Sequence, residues 1–405
     1  MKIFRESTLL LQLQIVSFRK GTYLVVEGKE NTDHFYIIQQ GNVQCMKSSG
    51  SGLAPTMYGP GDFVGVVPCM SDHLQIETAI ATTDVMAISV RKDQYPELIS
   101  QNTPVALKII KTFANRMRVM NEMLTKATLH SVVQDTHEQI LKVANFYEKN
   151  AFTDVAVFAY YQYLKTKPEG PNADFAKQHF VALKPKTHAV YFEPTAEPAR
   201  QYPKDTMIFS EAQSGSDMFI IQRGEVSITK VVNGNEVTLA VLKKGDMFGE
   251  MALIENKPRS ANAIAHSDCT LMVINRSNFN QMVATQPQLV AKLTTTLADR
   301  LWSMYRQLDN ACLEEPIAKM VDMLSLQMEK QRINVGFSKV SKQTEFTPKD
   351  IANTCGLASQ YQAKAIYDLQ NYDQIRIEGG KIFIKDVGEL MKQAAFYRKQ
   401  NNIKK

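Results

Sequence analysis

The sequence is poor in the residues from which metal sites, disulfide frameworks and catalytic centres are built. Its 405 residues include five cysteines and seven histidines, and both types are scattered along the chain. No two cysteines have the spacing of a metal-binding or disulfide motif, so we expect free thiols in a reducing cytoplasm and no metal. No grouping of Ser, His and Asp, or of Cys and His, indicates nucleophilic catalysis. We therefore predict that the protein is not an enzyme.

The chain also lacks a hydrophobic run long enough for a signal peptide or a membrane span. The amino-terminal stretch MKIFRESTLLLQLQIVSF is interrupted by Gln12 and Gln14 and has no small-residue cleavage site. We expect a cytoplasmic protein that does not enter a membrane. A hydrophobic fraction of 44% and a charged fraction of 22% are ordinary for a globular protein, and the length allows about two to three domains.

Excess charge is small and lies mainly near the carboxyl terminus. The whole chain has a formal net charge of +6. Residues 337–405 carry 12 Lys/Arg and 7 Asp/Glu, which gives this segment a net charge of +5. Such an asymmetry indicates a polyanionic partner, although a basic tail that only aids solubility would have the same composition.

The densest motif in the sequence is GDMFGEMALIENKPRSANAIA, at residues 245–265. Glu250 and Arg259 lie nine positions apart across a short apolar segment that Gly249 opens. A guanidinium pairs with two phosphate oxygens at once, and a carboxylate accepts hydrogen bonds from sugar hydroxyls. The helix formers after Gly249 can present free N–H groups to an anion. The motif thus predicts a cyclic nucleotide site; the plainer alternative is a glycine turn with a surface ion pair.

This motif resembles the phosphate-binding cassette of cyclic-nucleotide-binding domains, whose pattern is FGE-hydrophobic-A-L…PR-S/A-A. The resemblance implies ligand contacts from Gly249, Glu250, Met251, Ala252, Arg259, Ser260 and Asn262. Asn262 stands where the family usually has Thr or Ser, a hydroxyl that assists recognition of guanine. We therefore expect cyclic AMP to be preferred over cyclic GMP as the regulatory ligand.

Residues 17–100 and 200–283 share one pattern of short strands separated by turns. An ungapped offset of 184 aligns Glu27 with Glu211, Asp33 with Asp217, Phe35 with Phe219, Ile37 with Ile221 and Gly61 with Gly245. We read them as two copies of the jelly-roll-like barrel of that family. The alignment puts Val66 opposite Glu250 and Gln75 opposite Arg259. Without either charge, the first copy is predicted to be degenerate and to bind no cyclic nucleotide.

An amphipathic helix is predicted after each barrel, at residues 103–126 and 286–310. The second carries an apolar stripe of Leu293, Leu297, Leu301, Met304 and Leu308. In the catabolite-activator/Fnr-type regulators, which residues 200–385 resemble, the helix at this place pairs with its twin and caps the nucleotide base. The resemblance implies a homodimer and makes Met304 and Tyr305 candidate base contacts, with Trp302 as interface or core. Packing onto the barrel would give the same stripe.

Residues 138–180, between the barrels, resemble a tetratricopeptide unit with about one and a half repeats. The resemblance rests on Tyr147, Asn150, Ala156, Tyr160 and Pro168. Two interpretations remain open: a helical spacer that packs its aromatic residues against the barrels, and a small surface that docks a peptide of a protein partner.

The carboxyl-terminal segment TPKDIANTCG-LASQ-YQAKAIYDLQNYDQ-IRIEGGKIFIKD predicts a helix, a tight turn, a second helix and a hairpin. The order resembles the winged helix-turn-helix of the same regulators. At the positions where that family reads DNA bases, this chain has Ser359, Gln360 and Lys364. Gln and Lys can contact bases or phosphates, but a module converted to protein contact is the alternative.

Together these features predict an α+β multidomain protein: two jelly-roll-like cyclic-nucleotide-binding β-barrels with flanking helices, a TPR-like helical spacer and a C-terminal winged helix. The predicted domains are 1–126, 127–195, 196–310 and 311–405. The favoured function is a cyclic-nucleotide-gated, DNA-binding transcription regulator. The alternative is a signalling adaptor that contacts a protein partner without binding DNA.

Overall fold

The computed structural model describes residues 13–30, 33–47, 53–129, 136–232, 234–255, 257–333, 335 and 339–403. The chain divides into two compact units. The first comprises Met1–Leu98, Met120–His130 and Ala298–Lys405, and the second comprises Ile99–Val119 and Ser131–Leu297. The units do not follow the four predicted domains, because each contains one barrel together with helical residues that lie far from it in sequence.

The first unit contains an antiparallel barrel of two four-stranded sheets. Its strands are β1 (Gln14–Phe18), β2 (Tyr23–Val25), β3 (His34–Gln40), β4 (Val43–Met46), β5 (Thr56–Tyr58), β6 (Phe63–Val64), β7 (Thr78–Ala81) and β8 (Val85–Arg91). The strand orders are β1-β8-β3-β6 and β2-β7-β4-β5. Alternate residues such as Leu24, Tyr36 and Ile38 face the core. Helix α1 (Val66–Ser71) follows β6, and α2 (Tyr95–Gln101) and α3 (Thr103–Leu129) follow β8.

The second unit contains a barrel with the same construction. Its strands are β9 (Ala199–Tyr202), β10 (Met207–Phe209), β11 (Met218–Arg223), β12 (Val226–Val232), β13 (Asn235–Leu242), β14 (Met247–Phe248), β15 (Asn262–Ala265) and β16 (Cys269–Ile274). The strand orders are β10-β15-β12-β13 and β14-β11-β16-β9. Helix α7 (Glu250–Glu255) follows β14, and α8 (Arg276–Thr285) and α9 (Pro287–Ala311) follow β16. The predicted repeat is therefore present as two barrels.

The ungapped alignment of the two barrels is wrong by one residue in β3 and β11. Tyr36 lies opposite Val64, and Phe219 lies opposite Phe248. Val64 and Phe248 are 184 positions apart, but Tyr36 and Phe219 are 183 apart. A shift of one residue turns every strand side chain to the other face, so the counterpart of Phe219 is Tyr36 and not Phe35. The corrected core pairs are Tyr36 with Phe219 and Ile38 with Ile221.

The spacer between the barrels belongs to the second unit and consists of helices α4 (Thr136–Lys149), α5 (Thr153–Thr166) and α6 (Ala173–Leu183). Tyr147, Ala156 and Tyr160 are at most 1% exposed. These residues share a hydrophobic cluster with Met207 and Ile264 of the barrel. Tyr147, Ala156 and Tyr160, three of the five residues on which the tetratricopeptide resemblance rests, are therefore buried against the barrel, whereas Asn150 and Pro168 are exposed. A peptide-docking surface on the spacer stays a prediction.

Polar contacts also join the spacer to the second barrel. The hydroxyl of Tyr147 lies 3.0 Å from Thr229 Oγ1 and donates a hydrogen bond to Glu236 at 2.7 Å. The amide of Gln139 donates to Glu211 at 3.2 Å. Because these bonds end on three places of the barrel, the spacer is fixed to its surface rather than standing apart from it.

The helix that follows each barrel divides between the units. Residues 99–119, which follow the first barrel, belong to the second unit, and residues 298–311, which follow the second barrel, belong to the first. The stripe predicted for pairing with a second chain is at most 9% exposed within one chain: Leu293, Leu297, Leu301, Met304 and Leu308. A twin helix could not pack on this stripe without displacing what covers it. Trp302 is also buried, and its ring stacks on His73 with centroids 3.7 Å apart.

The first unit also holds the carboxyl-terminal elements: α10 (Pro316–Lys330), β17 (Lys342–Gln343), α11 (Pro348–Thr354), α12 (Ser359–Gln370), β18 (Ile375–Glu378), β19 (Lys381–Ile384) and α13 (Val387–Ile403). Thr347 and Asp350 form a capping box that starts α11. Gly356, with φ of 65°, allows the turn between α11 and α12. The three strands form one antiparallel sheet in the order β17-β19-β18. Helix, turn, helix and hairpin thus follow in the predicted order.

None of the helices described here is long and apolar enough to cross a membrane. Across the same described residues, no three His, Cys, Asp or Glu side chains are grouped in a way that could hold a metal ion.

Candidate functional site

The motif at residues 245–265 folds around the side chain of Arg259. Strand β14 leads into Gly249, α7 follows it, and β15 begins three residues after Arg259. Arg259 is 6% exposed; its Nη1 donates to the carbonyl of Gly249 and its Nη2 to the carbonyl of Asp217, both at 2.7 Å. Its Nε is buried and has no hydrogen-bond partner among the residues that the structure describes. The guanidinium is therefore oriented by the backbone, but one of its three nitrogens, Nε, keeps an unsatisfied N–H.

Two glycines leave space for this guanidinium, and an aromatic ring packs against its face. A Cβ atom on Gly215 would lie 2.7 Å from Arg259 Nε, and one on Gly249 would lie 2.8 Å from Nη1. Gly249 also has φ of 79°, which favours glycine. The guanidinium carbon lies 4.2 Å from the ring centroid of Phe209, a distance typical of a cation–π contact. The side chain is held in one position from three sides.

The electrostatics of the site fit a ligand that carries negative charge. Burial lowers the pKa of Arg259 to about 10, while Asp217 and Glu250 raise it, so the group remains positively charged at neutral pH. Glu250, at the first position of α7, is 2% exposed. A buried cation with an open donor favours an anion, and a neighbouring carboxylate favours a hydroxyl. A cyclic phosphate with its ribose hydroxyl satisfies both.

The other cassette residues flank these two charges. Met251 and Ala252 are buried on α7, at 8% and 2% exposure. The hydroxyl of Ser260 lies 3.7 Å from the Met251 sulfur. The structure therefore places Met251, Ala252 and Ser260 in the same segment as Glu250 and Arg259, and their contact with a ligand stays a prediction.

Asn262 is placed differently from the prediction. Its neighbour Ala263 lies in the barrel core with Phe209, and successive strand residues face opposite sides. Asn262 therefore points away from the face on which Arg259 lies. Its Oδ1 accepts a hydrogen bond from the backbone N–H of Glu211 at 2.7 Å, and its cross-strand partner is Thr229, which contacts the spacer. A contact of Asn262 with the nucleotide, and the preference for cyclic AMP that depends on it, stay predictions.

Met304 and Tyr305, the candidate base contacts, belong to the first unit and not to the unit of the cassette. They are 9% and 7% exposed. Lys47 Nζ lies 5.9 Å from the ring centroid of Tyr305, and it contacts Asp309 at 3.0 Å and Glu27 at 3.2 Å. The contacts described for Tyr305 thus connect it with the first barrel. A role for either residue at the nucleotide base stays a prediction.

In the first barrel, Gln75 takes the place of Arg259. The backbone bonds correspond: Gly28 N to Gln75 O at 2.8 Å and Gln75 N to Lys29 O at 3.1 Å, against Ala212 N to Arg259 O at 2.8 Å and Arg259 N to Gln213 O at 2.9 Å. Gly65, with φ of 76°, approaches the Gln75 amide as Gly249 approaches the guanidinium. Val66 begins α1 where Glu250 begins α7. This barrel keeps the backbone of the cassette and lacks both of its charges.

The candidate DNA-contacting residues lie on α12. Gln360 and Lys364 are exposed and stand one helical turn apart, whereas the side chain of Ser359 lies outside the described part of the chain. Two aromatic side chains are also exposed on this helix: Tyr361 at 53% and Tyr367 at 66%. The surface of α12 therefore combines groups that can read a base edge with aromatic rings.

The sequence did not reveal Phe209, Gly215 and Asp217, which surround the guanidinium of Arg259. They lie 42 to 50 positions before it in the chain. The Ser-Gly-Ser run at 214–216 signals a turn, and that signal could have pointed to Gly215. Nothing in the sequence distinguishes Phe209 from the other aromatic residues of the core.

Comparison with known proteins assigns both barrels to one family model. Residues 15–102 and 199–286 both match the family model of the cyclic nucleotide-binding domain. These two ranges contain the two barrels, so the match covers the site around Arg259 and also the barrel in which Gln75 replaces it.

Three curated relatives cover different parts of the chain. The cyclic AMP receptor protein of Thermus thermophilus is 25% identical over 203 residues, which cover 49% of this chain and 88% of that protein. The cAMP-dependent protein kinase regulatory subunit of Yarrowia lipolytica is 20% identical over 276 residues, 68% of this chain and 56% of that protein. The cGMP-dependent protein kinase 2 of Homo sapiens is 41% identical over 91 residues, 22% of this chain and 12% of that protein. These similarities indicate a cyclic nucleotide without selecting the purine.

Proposed function

We propose that this protein is a cyclic-nucleotide sensor with one working site, because residues 15–102 and 199–286 match the family model of the cyclic nucleotide-binding domain. The observation that carries the proposal is the buried guanidinium of Arg259, whose Nε is unpaired, beside the buried carboxylate of Glu250. In the proposed complex Arg259 pairs with the cyclic phosphate and Glu250 accepts a hydrogen bond from the ribose hydroxyl. The chain residues Gly249, Met251 and Ser260 complete the cassette.

The first barrel is proposed to bind no nucleotide. Gln75 is neutral and 2% exposed, and Val66 is apolar and 4% exposed. A phosphate enclosed at this place would lose its hydration without gaining a cationic partner, which costs several kcal/mol. In this proposal the first barrel has a role in packing or in partner contact, and only the second barrel binds nucleotide.

The output of the sensor is proposed to be DNA binding by a winged helix-turn-helix. Helices α11 and α12 and the hairpin of β18 and β19 supply its elements in order. Gln360 and Lys364 are exposed on the second helix, and the segment from 337 onward has a net charge of +5. Reading two half-sites one turn of DNA apart needs two such helices and thus two chains, joined through a surface other than the buried stripe of α9.

A polar network offers a path from α9 to the winged helix. Arg306 of α9 donates to Glu329 of α10 from Nε at 3.0 Å and from Nη2 at 3.1 Å. It also donates to Asp322 of α10 at 3.2 Å, and Asp322 is bonded in turn by Arg398 of α13. Because buried ion pairs are costly to break, a displacement of α9 would therefore also displace α10 and α13.

A signalling adaptor is the second candidate, and the exposed rings of Tyr361 and Tyr367 favour it. Aromatic residues are enriched in protein interfaces. In this version the nucleotide changes the affinity of α12 for a protein partner instead of for DNA. The relative named as a protein kinase regulatory subunit matches 68% of this chain, which lends this candidate support.

The two candidates are separated by DNA-binding anisotropy with a labelled pool of genomic duplex fragments. We expect binding that strengthens with cyclic AMP or cyclic GMP and weakens steeply between about 50 and 200 mM salt, because Lys and Arg displace counterions from phosphates. Lys364→Ala should weaken binding, whereas Lys399→Ala, an exposed lysine on α13, removes the same charge away from α12 and should have a smaller effect. Absence of binding at low salt with either nucleotide would favour the adaptor.

A further inference from the structure

The helix that follows the first barrel touches the cassette of the second. Arg118 of α3 donates from Nη1 and Nη2 to the carbonyl of Pro258, at 3.4 and 3.5 Å. Both residues belong to the second unit. Pro258 immediately precedes Arg259, so this contact holds the segment that carries the phosphate-binding guanidinium.

The first unit has the equivalent contact: α9, the helix that follows the second barrel, contacts the first barrel. Arg118 and Trp302 are separated by the repeat offset of 184 and are equivalent positions of α3 and α9. Trp302 stacks on His73, which lies in the cassette-like segment of the first barrel, at the position of Lys257. Each barrel is thus contacted at the same end of its cassette by the helix that follows the other barrel.

The equivalence of the two helices rests on their backbone as well as on the offset. Val105 and Ala106 donate to the carbonyl of Asn102 at the start of α3. Leu289 and Val290 donate to the carbonyl of Gln286 at the start of α9. Each donor and each acceptor of α3 lies 184 positions before its counterpart in α9, so the two helices begin in register. Arg118 and Trp302 are therefore equivalent positions in the structure as well as in the sequence.

The two contacts differ in strength. Around His73 the first barrel has further ties: Arg332 donates to the carbonyl of Ser71 at 3.1 Å and to Asp299 of α9 at 3.3 Å. Asp299 also lies 3.5 Å from His73. The carbonyl of Pro258, by comparison, receives long hydrogen bonds, which are weaker than those of ordinary length. A contact of this kind can be made or released at low cost.

From this geometry we infer that Arg118 is a positioning residue that couples the nucleotide site of the second barrel to α3. The inference rests on the proposed function. Nucleotide binding to Arg259 shifts the adjoining carbonyl of Pro258, and Arg118 transmits the shift to α3. Helix α3 is continuous from Thr103 to Leu129, and its residues from Met120 onward belong to the first unit. Helix α3, which follows the first barrel, therefore responds to nucleotide binding at the second barrel.

The single tryptophan of the chain supplies the test, because Trp302 lies in the first unit and the nucleotide site lies in the second. Its stacking on His73 makes its emission sensitive to movement there. Cyclic AMP and cyclic GMP are titrated into the full chain, with binding followed by calorimetry and Trp302 by fluorescence. In the unmodified protein we expect binding to be accompanied by a change in Trp302 emission.

In Arg118→Gln we expect nucleotide affinity to fall about threefold to tenfold, because the two long hydrogen bonds to the Pro258 carbonyl are lost. The Trp302 response should be absent even when calorimetry shows the site to be saturated. Arg118→Lys, which keeps the charge and loses the fork, should restore part of the response. Lys111→Gln, at an exposed position of α3 in the same unit, should behave as the unmodified protein.

The possible failures are distinguishable. If the unmodified chain binds neither nucleotide in the calorimeter, the proposed function is wrong and the inference falls with it. If it binds nucleotide and Arg118→Gln keeps the full Trp302 response at saturation, or if Trp302 never responds, only the inference is overturned.

Discussion

Arg259 is a buried cation whose neighbours engage two of its three nitrogens. The carbonyls of Gly249 and Asp217 fix the plane of the guanidinium, and Phe209 lies against its face. Within the described part of the chain, Nε has no hydrogen-bond partner. An unsatisfied buried donor costs free energy in the protein alone, and that cost is recovered when an acceptor arrives. The site is therefore prepared for an anion before one binds.

Gly215 is the residue through which this arrangement can be tested without removing a charge. In Gly215→Ala the new Cβ would lie 2.7 Å from Arg259 Nε and must push the guanidinium aside. We expect nucleotide affinity to fall about tenfold or more, equivalent to at least ~1.4 kcal/mol, measured by calorimetry.

The matched control is Gly59→Ala in the first barrel, where the nearest atom to the new Cβ is Asn42 Oδ1 at 3.4 Å. This variant should bind nucleotide as the unmodified protein does. Unchanged affinity in Gly215→Ala would mean that the position of the guanidinium does not matter for binding.

Glu77 makes the stability of the first unit depend on pH. Burial raises the pKa of this carboxyl to about 7, with Glu27 raising it further and Lys47 lowering it. The folded protein therefore keeps a proton that an unfolded chain releases above the ordinary value of 4.5. As pH rises from about 4.5 to 7, the free energy of unfolding falls by on the order of 1–3 kcal/mol through this group.

Glu77→Gln has no such proton to lose. Relative to the unmodified protein, its free energy of unfolding should increase across that pH window. Urea denaturation at several pH values measures the difference between the two proteins. A difference that stays constant from pH 4.5 to 7.5 would contradict the assignment of the buried proton to Glu77.

At the scale of elements, α9 is tied to α10 and α13 by one buried carboxylate. Asp322 is fully buried and accepts hydrogen bonds from Arg306, Asn310 and Arg398. Burial acts to raise the pKa of Asp322, but the two guanidinium groups prevail and hold it below its ordinary value. In Asp322→Asn the two cations lose their shared partner. We expect the free energy of unfolding to fall by about 3–5 kcal/mol, measured by denaturant titration.

Glu389→Gln is the control for that substitution, because Glu389 pairs with Lys392 at 3.7 Å on the exposed surface of α13. Exposed pairs contribute little, so its stability should change by no more than about 0.5 kcal/mol. Similar losses in the two variants would show that the buried network does not hold these helices together.

The elements also show where sequence reasoning reached its limit. The strands and helices were predicted from periodicity, and the offset of 184 located the cassette of the first barrel correctly. It failed in β3, where Tyr36 and not Phe35 is the counterpart of Phe219. Tyr36 lies eight positions after Gly28, whereas Phe219 lies seven positions after Ala212, and no apolar pattern in these short segments reveals the extra residue. The alternation of faces in β15, which turns Asn262 away from the face of Arg259, was missed for a similar reason: a sequence motif does not show on which face of a strand each of its residues lies.

At the scale of the whole molecule, a stripe of apolar residues predicts burial but does not name the partner. The stripe of α9 was predicted to meet a second chain or its own barrel. In the structure the later part of α9 belongs to the unit of the first barrel, and residues 99–119 belong to the unit of the second. This exchange depends on long-range contacts that no local pattern contains. The same limit applies to Tyr305, whose described neighbour is Lys47 of the first barrel.

The central claim is that two barrels of one fold share a single nucleotide site, set by the two charges at Glu250 and Arg259. Calorimetric titration of the full chain with cyclic AMP and with cyclic GMP tests it most directly. The account predicts one site per chain, and loss of that site in Arg259→Ala while Gln75→Ala leaves it intact. Two sites per chain, or full affinity in Arg259→Ala, would contradict the account.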